Sequence, residues 1–151
     1  MGLSRGAVNI GSTGSIIAQS VNSKPGKIVI GSPSANSVRV AGNIDVSAPK
    51  RFISPSGTII VQGRRVTHTG NIHANGGSGG KIKVLSTENL KLDGSLFAKG
   101  TKDKGGSVIV MSENSIQTSA KTVIDVSGQL KGGTAQLLAK VKNKVSGDIF
   151  A

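Results

Sequence analysis

The sequence contains no cysteine, no tryptophan and no tyrosine, and only three phenylalanines among 151 residues. The missing cysteine excludes a disulfide framework and a thiolate metal site. The shortage of aromatics excludes the usual way of filling a globular core, because rings supply much of the apolar area there. Valine, isoleucine, leucine and alanine must fill the interior instead, which favours a thin core built in small regular layers. Acidic residues are also scarce, at 7 against 19 basic ones, for a net charge of +12. A balance this basic attracts anionic partners. No apolar run approaches the ~20 residues of a membrane-spanning helix, so no membrane insertion is expected.

What the chain has in abundance is glycine, 22 residues of it, and the glycines head a repeat. A glycine followed by alternating apolar residues occurs at Gly6, Gly26, Gly57, Gly80, Gly106 and Gly133, with spacings of 20, 31, 23, 26 and 27. The apolar pairs are Val8/Ile10, Ile28/Ile30, Ile59/Val61, Ile82/Val84, Val108/Val110 and Ala135/Leu137. A second column falls between these copies, at Gly14, Gly42, Gly70, Gly94, Thr122 and Gly147, spaced by 28, 28, 24, 28 and 25. Its pairs are Ile16/Ala18, Ile44/Val46, Ile72/Ala74, Leu96/Ala98, Ile124/Val126 and Ile149/Ala151. A third, looser set comprises Val38, Val40, Val66, Leu90, Leu92, Ile116, Val141 and Val145.

Alternation with period two means a strand with one buried face. Recurrence of the same columns every ~26 residues means a solenoid. A β-sandwich also alternates, but nothing in that fold makes one column recur at that period. The expected architecture is all-β: a right-handed parallel β-helix of about six coils, three short strands per coil. Residues 1–151 would form one solenoid domain, with spacing differences taken up in corners such as Ser47–Ser56 and Lys99–Gly105. Glycines would serve corners that need positive φ or close approach.

The stretch from Gly70 to Ala139 resembles the shaft repeats of filamentous-haemagglutinin-like exoproteins, the bacterial adhesins exported by two-partner secretion. The residues that carry the resemblance are Gly70-Asn71-Ile72-His73-Ala74-Asn75-Gly76 and Gly79-Gly80-Lys81-Ile82-Lys83-Val84. Leu92-Asp93-Gly94-Ser95-Leu96 and Ile124-Asp125-Val126-Ser127-Gly128 extend it. The resemblance implies a secreted or cell-surface protein that works in adhesion, aggregation or biofilm formation. Members often carry an Asn-Pro-Asn-Gly tetrapeptide in the secretion domain; here Ser54-Pro55-Ser56-Gly57 is the nearest match, which points to shaft rather than secretion domain.

Chemistry-bearing residues are few. The outward positions of the second column read Ile17, Asp45, His73, Phe97, Asp125 and Phe150, with Asp45 and His73 on adjacent rungs. An acid–base or metal pair there would need a third group, and a solvated surface pair is the plainer reading. Glu88, Asp103, Glu113 and Asp148 are scattered, and His68 has no evident partner. No nucleophile–base constellation or phosphate loop is present, so neither catalysis nor a cofactor is expected. A polysaccharide-processing enzyme would require Asp45, Asp125 and Asp148 to converge in one groove.

Lys27, Arg39, Arg64, Arg65, Lys81, Lys83, Lys91, Lys140, Lys142 and Lys144 are candidates for contact with an anionic glycan. Without aromatics to stack bases, specific nucleic-acid binding is not expected. The ends of the stack, Val8 and Ile10 at one and Ile149 and Ala151 at the other, show no capping segment. The chain therefore reads as a piece of a longer shaft or as a subunit that stacks head to tail.

Overall fold

A computed structural model describes residues 6–19, 24–49 and 56–151. Most of the corner Ser47–Ser56, including Ser54 and Pro55 of the tetrapeptide, lies outside them. Among the described residues every regular element is a strand, and every strand pairs in parallel with its equivalent one coil away. Sheet I runs β1 (Ala7–Ile10), β4 (Ser37–Val40), β7 (Arg65–His68), β10 (Asn89–Leu92), β13 (Ser115–Thr118) and β16 (Lys142–Lys144). Sheet II runs β2 (Ser15–Ile17), β5 (Asn43–Asp45), β8 (Asn71–His73), β11 (Ser95–Phe97), β14 (Val123–Asp125) and β17 (Asp148–Phe150). Sheet III runs β3 (Lys27–Gly31), β6 (Thr58–Gly63), β9 (Lys81–Ser86), β12 (Ser107–Ser112) and β15 (Thr134–Ala139). The chain is thus a β-solenoid of between five and six coils with three strands per coil.

The strands form because each, apart from β16, turns at least one β-branched or leucine side chain to the interior. In the second column Ile16, Ile44, Ile72, Leu96, Ile124 and Ile149 stack residue upon residue. In sheet III Ile28, Ile59, Ile82, Val108 and Ala135 do the same, beside Ile30, Val61, Val84, Val110 and Leu137. Val46 and Val126 close the interior just past their strands, and nearly all these side chains are fully buried between the end coils. Each isoleucine so enclosed contributes roughly 1.5–3 kcal/mol of transfer free energy. The main chain is satisfied in the same direction, since Val46, Ala74, Ala98 and Val126 each donate an N–H to the coil above.

Two expectations need correction. The copy at Gly6 does not belong to the column headed by Gly26. Val8 and Ile10 pair with Val38 and Val40, so β1 lies in sheet I. Its spacing of 20 was the warning, because one full coil here takes 23 to 31 residues. The last member of the looser column also shifts. Asn143, not Val141, stands beside Ile116, and Val141 is an exposed corner residue.

Corners explain the glycines. In two axial columns a Cβ would collide with the glycine carbonyl of the preceding coil: 2.0 Å at Gly70 from the Gly42 oxygen, 2.1 Å at Gly106 from the Gly80 oxygen. Close approach, rather than positive φ, is the requirement at these two positions.

Candidate functional site: three unlike faces of the rod

Because outward residues stack as strictly as inward ones, each sheet presents its own surface. Sheet II carries Ile17, Asp45, His73, Phe97, Asp125 and Phe150 on six successive rungs. The His73 and Phe97 rings stack, centroids 5.1 Å apart and planes within 8°. Burial lowers the pKa of His73 below its ordinary value, opposed by the Asp45 carboxylate below it. Both aspartates serve local structure. Asp45 accepts the Ser47 N–H at 2.8 Å, and Asp125 accepts the Ser127 N–H at 3.0 Å and its hydroxyl at 2.6 Å. Burial by itself would raise the pKa of Asp125. The Ser127 donors, with the Lys99 ammonium at 3.0 Å, outweigh it and hold the carboxyl below its ordinary range.

Asp45 and Asp125 stand three rungs apart with two rings between them, and Asp148 lies in the neighbouring column beside Val123. The three carboxylates do not converge. Among the described residues no three His, Asp or Glu side chains are grouped as metal ligands.

His68, expected to lack a partner, is part of the core. It occupies the inward column between Val40 and Leu92 with no exposure at all. Its Nε2 lies 3.4 Å from the Ser95 carbonyl oxygen, and Nδ1 has no hydrogen-bond partner. Burial pulls its pKa from 6.5 to about 4; the Ser95 and Val40 carbonyls resist that shift more weakly. The alternation Val66-Thr67-His68 already pointed the imidazole inward.

The basic candidates do not form one stripe. Lys27, Lys81 and Lys83 lie on sheet III, where they share the outward side with Val29, Ile60, Ile109, Leu85, Met111 and Leu138. At the far edge of that sheet an apolar groove of about 420 Å³ runs past Leu85, Met111 and Leu138 over the small residues Gly63, Ser86, Ser112 and Ala139. Arg39, Arg65, Lys91, Lys142 and Lys144 lie on the outward side of sheet I, whose strands contain no acidic residue. Arg64 and Lys140 sit at the corners between the two faces. Arg64 pairs with Glu88, and Lys140 lies 3.6 Å from Glu113. Sheet II, by contrast, has no Lys or Arg on any strand. Charge is therefore segregated by face.

Comparison of the chain with protein-family models, with curated proteins and with solved structures gives no match.

Proposed function

We propose that the chain is a non-catalytic segment of an extracellular shaft on a bacterial surface, acting in adhesion, aggregation or the biofilm matrix. The observation that supports this reading most strongly is the in-register stacking of three sheets along one axis. It devotes the described residues to length and leaves the repeated geometry of each rung to carry side-chain columns outward. With rungs about 4.8 Å apart, five spacings extend the rod by about 24 Å.

Further coils, from the same polypeptide or from another copy, would pair with the outer edges of β15, β16 and β17, which meet no further strand among the described residues. At the end bearing β15, β16 and β17, Ile149 is 47% exposed and Phe150 51% exposed. Electron microscopy of the purified chain tests the proposal. Fibres of uniform narrow width, built of copies joined end to end, are expected beside compact single particles about 24 Å long; irregular aggregates would contradict it. If copies join, Ile149→Lys, which sets a charge on the exposed end of the column, should return fibres to single particles. Fibres unaffected by it would contradict end pairing at β17.

A further inference from the structure

The adhesive part of this reading can be narrowed to one face and one class of ligand. On sheet I the outward column reads Asn9, Arg39, Thr67, Lys91, Gln117 and Lys144 on successive rungs. A cation thus occurs on every second rung, and a hydroxyl or amide on each rung between. Two rungs measure about 10 Å, a spacing of the same order as a disaccharide. Beside this column Arg65, Asn89, Ser115 and Lys142 supply further donors.

The side chains frame shallow grooves rather than a flat wall. One, of about 350 Å³, is lined by Arg65, Thr67, Asn89, Lys91, Ser115 and Gln117. A second, of about 570 Å³, shares Lys91 and Gln117 and continues to Asp93 and Lys121. Carboxylates touch this face only from its corners. Asp93 lies 3.1 Å from Lys91, and Glu88 lies 3.9 Å from Arg65. Both basic partners are more than half exposed, and exposed pairs of this kind contribute little, so a polyanion can displace them.

We propose that sheet I binds a linear acidic polysaccharide laid parallel to the rod axis, with one carboxylate per disaccharide met by Arg39, Lys91 and Lys144. The uncharged sugars between would face Thr67 and Gln117. This rests on the shaft reading for its biological setting, but not for its geometry. The pattern suits a polymer of alternating charged and neutral sugars better than nucleic acid. Phosphates on one DNA strand recur about every 3.4 Å along the axis, and the outward side of sheet I offers no aromatic side chain on which bases could stack. The rungs hold the cations in place before binding, which limits the ordering cost to side-chain rotamers.

The test is titration of the full chain with unsulfated oligosaccharides of alternating glucuronate and N-acetylglucosamine, at about 10 mM salt where screening is weak. Affinity should rise with length until the oligosaccharide spans the ladder, and then level off. Arg39→Gln with Lys91→Gln should weaken binding about tenfold or more. Lys27→Gln with Lys81→Gln, which removes equal charge from sheet III, should change it less than twofold. Equal losses in both variants would overturn the proposal in favour of unspecific attraction to a basic protein. So would stronger binding to duplex DNA of matched length, or no binding at all. Circular dichroism and microscopy of the same samples separate the outcomes: uniform fibres that fail to bind refute the ligand and not the shaft.

Discussion

Gly106→Ala is expected to destabilise the solenoid by about 4 kcal/mol or more, at the severe end for a single methyl group. The added Cβ would lie 2.1 Å from the Gly80 carbonyl oxygen and 2.9 Å from the Ala98 Cβ. Neither neighbour can yield cheaply. The Gly80 oxygen accepts the Ser107 N–H at 2.9 Å, and the Gly106 N–H donates to the Ala98 oxygen at 2.7 Å. Relief requires prising one coil from the next, which breaks the ladder on both sides of the corner and leaves buried polar groups unpaired. Gly11→Ala provides the control, since nothing lies within 4 Å of a Cβ built there. Thermal unfolding followed by circular dichroism should show a drop of about 10 °C or more for Gly106→Ala and almost none for Gly11→Ala. Equal small changes would mean that the glycines are not held by coil-to-coil contact.

The second large effect concerns acid. His68 is neutral in the folded chain because enclosure lowers its pKa to about 4, whereas an unfolded chain protonates it near 6.5. A depressed pKa contributes stability that is complete above the unfolded value and is lost as pH falls toward the folded value. The interval from 6.5 to about 4 corresponds to about 3 kcal/mol, lost between those limits and constant below them. The acidic residue that follows Leu92 on the neighbouring rung, Asp93, pairs with Lys91. His68→Leu places in the column the residue that already occupies it one rung later, and removes the orphaned Nδ1. The variant should match or exceed the parent at pH 7 and exceed it by about 3 kcal/mol at pH 4 in denaturant unfolding. Parallel loss of stability in both proteins across that interval would show that His68 is not the acid-sensitive group.

The interior was legible from the sequence because a solenoid repeats its buried positions, so Ile44, Ile72 and Ile124 announce one another across the chain. Two readings failed where a local pattern outweighed the period. Gly6-Ala7-Val8-Asn9-Ile10 looks like the strands of sheet III, yet the coil length assigns Val8 to Val38. His68 is polar, and its type masked an alternation with Val66 that places it inside. The faces were less legible. Whether Lys81 and Lys91 share a surface depends on the corner residues between their strands, and corners vary in length while strands do not. Only the register separates the basic residues of sheet I from those of sheet III, and makes the alternation of Arg39, Thr67, Lys91 and Gln117 visible.

That register is the claim on which all the rest depends, and the absence of cysteine makes it directly measurable. Thr67 and Lys91 are partners on adjacent strands, whereas Arg39 and Lys91 are separated by the whole of β7. Adjacent parallel strands are about 4.8 Å apart, within the Cα separation a disulfide tolerates, and second neighbours at about 10 Å are beyond it. Under mild oxidation, the Thr67→Cys/Lys91→Cys chain should close an internal disulfide nearly completely, and the Arg39→Cys/Lys91→Cys chain should stay reduced. Equal yields in the two chains, or closure of the second alone, would contradict the stacked columns.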